Sequence, residues 1–269
     1  MTENSVLTEQ PRTRAEHPDR AASTAARAEA VARVAREYAD TVDGESRFPR
    51  ETIDEARAQG LLAAPMTEAD GGLDYSITEL CRLLERVGRE CTSSAMILAM
   101  HYSQALCLTR HADTEWLREF TRKVASEGLL LASATTEVNI GGDTRTSTCA
   151  VRPAGDGRVA LHKTCPVISY GAYADAILVT ARRNEDAASS DQVVLVVEAA
   201  DLQLERQRGW DALGMRGTCS ESFELDATTS EDAMFRVPFE TISARTMLPG
   251  AHCLLSLIHI SEPTRLRRI

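Results

Sequence analysis

Apolar residues recur at spacings of three and four over the first half of the chain, and in short β-rich runs over the second. Ala25 to Val42 sets Ala30, Val31, Val34, Ala35 and Tyr38 on one stripe with Arg and Glu opposite, which predicts an amphipathic helix. Pro49 opens a second helix over Glu51–Gln59, and Gly60 closes it. Asp70-Gly71-Gly72 marks a loop, after which Ser76 caps a helix carrying Leu80, Leu83, Leu84 and Val87. Met96-Ile97-Leu98-Ala99-Met100-His101 is apolar nearly all round, so its helix is expected to be buried on most sides. A further helix covers about Asp113 to Ser126. Near Gly128 the pattern changes to runs rich in Val, Ile, Thr and Leu, with turns such as Gly155-Asp156-Gly157 between them. The expected strands are Leu129–Ala134, Thr146–Val151, Val159–Lys163, Ala176–Ala181, Val193–Glu198, Leu202–Arg206 and Ser222–Leu225. Pro238-Phe239-Glu240 then starts another helix at Ile242–Leu248.

The fold class that follows is α+β: an N-terminal all-helical domain over 24–128, then a mostly antiparallel β-barrel domain over 129–240. Residues 1–23, with Pro11, Pro18 and no periodicity, are expected to be a mobile tail. Residues 241–255 begin a further helical segment. Residues 256–269, interrupted by Pro263 and closing on Arg265, Arg267 and Arg268, match no period. No Gly-x-Gly-x-x-Gly follows a strand, and strands do not alternate with helices, which argues against a Rossmann dinucleotide domain.

Composition narrows the function. With 269 residues, 43% hydrophobic, the chain can bury substantial cores. Forty acidic against thirty basic residues leave a charge of -10, which argues against nucleic acid and anionic membrane surfaces as partners. The seven cysteines are scattered with no Cys-x-x-Cys pair, as expected of reduced thiols in a cytoplasmic protein. No apolar run reaches the roughly 18 residues of a membrane helix. His111 and His162 have no metal-ligand partner at helical spacing, so no metal is expected. His101, alone on an apolar helix, reads first as a satisfied core histidine.

Two segments carry candidate chemistry. Thr135-Thr136-Glu137-Val138-Asn139-Ile140-Gly141-Gly142-Asp143 and Val167-Ile168-Ser169-Tyr170-Gly171 each follow a strand with hydroxyl and small residues. Their hydroxyls could simply favour strands or cap turns, and Gly141-Gly142 could be an ordinary turn or a phosphate-binding nest. The first segment resembles the Thr-Glu-Pro-x-Ala-Gly-Ser-Asp motif of the acyl-CoA dehydrogenase superfamily. Phe48-Pro49-Arg50 with Gly60-Leu61-Leu62 and Gly71-Gly72-Leu73 resembles its opening helices. Glu85-Arg86-Val87-Gly88-Arg89 with Ser93-Ser94-Ala95 resembles its next helix pair, and Gly209-Trp210-Asp211-Ala212-Leu213-Gly214-Met215-Arg216-Gly217-Thr218 the end of its β domain. The likeness covers roughly residues 25–255. Where the family has Trp-Ile-Thr this chain has Val167-Ile168-Ser169. Val138 stands for the proline, and Gly142 for the serine.

The resemblance implies an FAD-dependent oxidoreductase acting on the CH–CH group of an acyl thioester such as acyl-CoA, with an electron-transfer partner and a homotetrameric parent. Thr135, Thr136, Gly141, Gly142, Val167 and Ser169 would contact the flavin. Thr135 and Thr136 would lie along the pyrimidine side of the ring, with Ser169 near N5. Asp143 braces the loop, and Glu137 is a structural hydrogen-bond partner rather than the base. The family's base comes from a C-terminal helical bundle, which this chain is expected to lack, residues 256–269 resembling a non-native tail; the 269 residues then form an inactive fragment, and no catalytic base is assigned. The lost Trp and His101 keep open an alternative of the same fold, a monooxygenase using reduced FMN supplied by a flavin reductase. There His101 would sit over the flavin. A non-catalytic fragment is a third reading.

Overall fold

A computed structural model describes residues 18–138 and 145–255. The expected C-terminal tail and the candidates Gly141, Gly142 and Asp143 lie outside the described residues. The first half is helical: α1 (Pro18–Gly44), α2 (Arg50–Ala58), α3 (Ile77–Gly88), α4 (Thr92–His111) and α5 (Glu115–Glu127). Helix α1 begins at Pro18, inside the span expected to be a tail. Its first turn is anchored by Arg20, whose guanidinium donates to Glu79 Oε1 and to the carbonyls of Leu73 and Asp74. Ser76 caps α3 in a reciprocal box with Glu79, which satisfies two otherwise orphaned amides. Thr114 caps α5, and Gly128 ends it at φ 64°, a left-handed position that glycine adopts without a Cβ penalty. Helix α4 is buried on nearly every side from Thr92 to Leu108, as its unbroken apolar run requires.

The second half forms two sheets. Strands β1 (Leu131–Ala134), β4 (Ala176–Arg182) and β5 (Gln192–Glu198) make one in the order β1-β4-β5, with β1 parallel to β4. Strands β2 (Arg152–Gly155), β3 (Arg158–Ile168), β6 (Leu202–Arg208) and β7 (Glu221–Ser230) make an antiparallel sheet in the order β2-β3-β7-β6. The β region is thus two open sheets rather than a closed barrel. Strands β4 and β5 are buried on both faces because the first sheet is the middle layer. Ile177, Val179, Val193 and Leu195 share a core with Leu161 of β3 and Phe223 of β7. Leu178, Val194 and Val196 share another with Leu117 and Phe120 of α5 and with Phe235 and Phe239.

Expected and observed strands differ most at Thr146–Val151, which is extended but forms only a single bridge, Ala150 to Arg182. The amides of Thr148 and Cys149 donate to Glu137, only Cys149 O and Val151 N bond the backbone at the end of β4, Arg182, and the hydrogen-bonded strand starts at Arg152. Helix α6 (Phe239–Ile242) continues through a wide π-turn at Ser243–Met247, a short α segment at Leu248–Gly250 and a second π-turn at Ala251–Leu255. Among the described residues no helix is long and apolar enough to cross a membrane.

Helices and sheets pack together in both cores, and the loop before β7 joins them at Gly217. A Cβ there would fall 2.3 Å from Val42 Cγ1 of α1 and 3.0 Å from Ser93 Cβ of α4, while the Gly217 amide donates to Ser93 Oγ at 3.2 Å. Gly217→Ala is therefore expected to destabilise the fold by about 1–3 kcal/mol through overpacking. Urea unfolding measures it, and adding Val42→Ala should recover part of the loss. An unchanged midpoint in Gly217→Ala would show that this joint is loose.

Candidate functional site

The two candidate segments meet. Strand β3 alternates inward and outward until its register with β7 shifts between Cys165 and Ile168, a bulge that re-aims the residues beyond it. Val167 lies half-buried within this bulge and Ser169 half-buried just past it. Tyr170 then takes φ 44°, a left-handed conformation unusual for a tyrosine. It is held there by its amide, which donates to Thr218 O at 2.8 Å, and by its buried hydroxyl, which donates to Leu131 O at 2.9 Å. From the other side β1 ends at Ala134 and leads into Thr135 and Thr136. Thr136 Oγ1 donates to the Val167 carbonyl at 2.8 Å, so the segments are direct neighbours.

Beneath them lies a buried ion pair. Lys163 projects inward from β3 with its side chain fully buried, and its Nζ stands 3.2 Å from Glu137 Oε1. The same ammonium donates to Ala134 O at 2.9 Å, Thr180 O at 2.6 Å and Thr180 Oγ1 at 3.0 Å. Glu137 Oε1 also accepts from Ser147 Oγ, and Oε2 from Thr148 N and Oγ1, both at 2.6 Å, and from Cys149 N at 3.3 Å. Burial would raise the Glu137 pKa, but the hydrogen bonds from Ser147 and Thr148 and the charge of Lys163 outweigh it and hold the carboxyl down at about 2. Lys163 thus bonds the residue before Thr135 and the residue after Thr136, clamping the pair from both ends.

A cavity of about 240 Å³ opens beside Thr135. Its walls are Met100, Ser103 and Gln104 of α4, Ser133 of β1, and Phe239, Ser243, Met247, Leu248 and Leu255 of the C-terminal helical segment. Gln104 is buried on this wall, and its Oε1 has no hydrogen-bond partner among the described residues. None of the described wall residues is a carboxylate or a histidine. His101, one turn before Gln104, is fully buried and engaged at both ring nitrogens: Nε2 lies 2.7 Å from Leu62 O, and Nδ1 accepts from Leu131 N at 3.0 Å. That pairing requires the neutral Nε2–H tautomer. Desolvation pushes its pKa down to about 4.

Of the residues singled out in the sequence, Thr135, Thr136, Val167 and Ser169 come together, and Gly141 and Gly142 lie outside the described residues. Three side chains escaped sequence reasoning. Lys163 had a signal, a charge at the core parity of Val159, Leu161 and Cys165, which demands a buried counter-charge. Ser220, whose Oγ lies 2.8 Å from Ser169 Oγ, and Gln104 had none.

Residues 18–128 match the acyl-CoA dehydrogenase N-terminal domain family. The chain is 32% identical over 223 residues to a cyclohex-1-ene-1-carbonyl-CoA dehydrogenase of Geobacter metallireducens, covering 79% of this chain and 58% of that protein. It superposes on butyryl-CoA dehydrogenase from Megasphaera elsdenii with a TM-score of 0.79 at 18% identity, over 91% of this chain and 66% of that one. The FMN-bound TdsC of Paenibacillus sp. A11-2, a dibenzothiophene monooxygenase, gives 0.72 at 22% identity, over 83% and 56%. The chain spans about half the length of the curated relatives it matches.

Two outcomes are expected. Lys163→Met leaves the Glu137 carboxylate buried without its cation and should cost about 3–5 kcal/mol in urea unfolding, whereas the double variant Glu137→Gln, Lys163→Met should recover much of that loss. Strictly additive single-variant costs would refute a coupled clamp. Separately, the unfolded chain takes up a proton at His101 near pH 6.5, while the folded chain refuses it until about pH 4. Stability should therefore fall as pH drops through that window, and His101→Gln should flatten this part of the profile.

Proposed function

Since the chain belongs to the acyl-CoA dehydrogenase superfamily, we propose that it forms the flavin-holding part of an oxidoreductase acting on the CH–CH group of an acyl thioester. The observation that carries this reading is the Thr136 to Val167 hydrogen bond, which brings two hydroxyl-bearing segments into one site beside a cavity. The donor set fits a flavin. The Thr135 hydroxyl and backbone amides suit the ring's polar edge, Ser169 adds a hydroxyl oxygen, and the buried Gln104 oxygen beside Thr135 is an acceptor still awaiting a donor. FAD is the form proposed, held by Thr135, Thr136, Val167, Ser169, Gly141 and Gly142. A bound flavin supplies the hydride acceptor.

The chain's own residues then have distinct tasks. Thr135, clamped from beneath, would present its hydroxyl and amide to the ring edge where negative charge develops, and fixed donors cost no reorganisation there. Met100, Phe239, Met247 and Leu255 make the cavity largely apolar, which suits an acyl chain and excludes water from it. Lacking any described carboxylate or histidine, this wall positions the substrate rather than taking its α-proton. Electrons would pass on to an electron-transfer flavoprotein, and the working protein would be a homo-oligomer in the cytoplasm.

A second reading, a reduced-flavin monooxygenase with a reductase partner, is favoured by Val167, which stands where the dehydrogenase pattern has an aromatic wall. His101 does not favour it, because both ring nitrogens already serve the backbone.

Titration of the purified chain with FAD and FMN, followed by anaerobic addition of acyl-CoA, tests the proposal. Stoichiometric yellow protein whose flavin spectrum shifts or bleaches with acyl-CoA is expected, and Thr135→Val should weaken flavin binding roughly tenfold, the loss of one or two hydrogen bonds. Oxygen uptake with reduced flavin, and no response to acyl-CoA, would select the monooxygenase. A chain binding neither flavin would defeat both.

A further inference from the structure

Behind Ser169 runs a file of hydroxyls whose protons can be counted. Thr218 Oγ1 lies 2.8 Å from the Met215 carbonyl, Ser220 Oγ lies 2.8 Å from Thr218 Oγ1, and Ser169 Oγ lies 2.8 Å from Ser220 Oγ. Thr218 and Ser220 are buried, whereas Ser169 is half-buried at the mouth of the file. Each hydroxyl carries one proton and can accept more than one hydrogen bond. A carbonyl cannot donate, so the contact with Met215 O is a hydrogen bond only if Thr218 provides the proton. Trp210 Nε1 at 3.0 Å and the Thr218 amide at 3.1 Å donate to the same carbonyl, and the Thr218 hydroxyl makes the shortest of the three contacts. With its proton spent, Thr218 can only accept from Ser220, and Ser220 in turn can only accept from Ser169. The proton of Ser169 therefore points into the protein, and its oxygen has lone pairs alone to offer a further partner.

We infer that the Thr218–Ser220–Ser169 file makes Ser169 a hydrogen-bond acceptor toward the site, so that the site favours a ligand presenting an N–H there. This rests on the flavin reading above, in which Ser169 lies near N5. Oxidised flavin offers at N5 only a lone pair, whereas reduced flavin carries an N5–H, so the file favours the reduced cofactor over the oxidised one. Thr218 and Ser220 act through Ser169 and are positioning residues. The bias comes from fixed protons in a water-poor setting, where an unmatched pair of acceptors is costly.

The test compares dissociation constants of oxidised FAD and of dithionite-reduced FAD, measured anaerobically, for the wild-type chain, Ser220→Ala, Thr218→Val and Thr218→Ser. Ser220→Ala frees the Ser169 proton to turn outward and donate to the oxidised ring. The ratio of oxidised to reduced dissociation constants should fall about fivefold, the equivalent of one neutral hydrogen bond. Thr218→Val should move the ratio the same way, and Thr218→Ser, which keeps the hydroxyl, should leave it at the wild-type value. Ser169→Ala should weaken the reduced form without tightening the oxidised one. A variant that weakens both forms equally, or a ratio unchanged in Ser220→Ala and Thr218→Val while flavin still binds, overturns this inference and leaves the flavin reading intact. Failure of the wild-type chain to bind either form overturns both.

Discussion

The candidate site depends on a buried charge pair that touches no ligand. Lys163 and Glu137 each satisfy several backbone groups, and between them they tie the end of β1, the middle of β3, β4 and the segment at residues 147–149 into one knot. Burying two charges is costly, and such a pair adds little net stability over a well-packed apolar substitute. Its effect is geometric instead. An ammonium that must reach Ala134 O, Thr180 and Glu137 together leaves one backbone path through Thr135 and Thr136. A hydrophobic replacement could fill the same volume and allow several.

The same economy of protons and lone pairs extends outward. Thr136 spends its proton on Val167, Tyr170 on Leu131, and His101 its Nε2 proton on the Leu62 carbonyl. Each bond crosses between elements distant in sequence. His101 joins the turn after α2 to the first residue of β1 through α4, so the helical half and the sheet half share a rivet at the base of the site. The neutral tautomer is essential to this, because a charged imidazole would present a second N–H to the Leu131 amide. Placing the histidine where its pKa falls to about 4 keeps the rivet intact near neutral pH.

Much of the fold was legible because it followed from periodicity. The caps at Ser76 and Gly60, the buried α4 and the strands β4 and β5 need only local pattern and composition to be read. The segment Thr146–Val151 misled, because its Thr and Val residues have strand propensity, yet it meets a strand only at Arg182 and gives its Thr148 and Cys149 amides to a carboxylate. The meeting of Thr136 with Val167 could be anticipated only through family likeness, since periodicity says nothing about which loops adjoin. Lys163 lay in plain view at a core-parity position. The hydroxyl file was hidden for a different reason: Thr218, Ser220 and Ser169 are ordinary β-region residues, and only distances reveal where their protons go.

The cavity wall shows how local helix geometry shapes chemistry. Phe239, Ser243 and Met247 all line it, at successive spacings of four. In a regular helix of 3.6 residues per turn, a spacing of four drifts by about 40° around the axis at each step, so the three positions span about 80° of one face. The π-turn at Ser243–Met247 is wider, so it rotates the chain less per residue and offsets that drift. Three side chains thereby stay on one face opposite Ser133 and Thr135, with a small hydroxyl flanked by two large apolar groups. The wider turn costs hydrogen-bond geometry within the helix. In exchange, a largely apolar wall stands opposite Ser133 and Thr135 where β1 runs into the clamped loop.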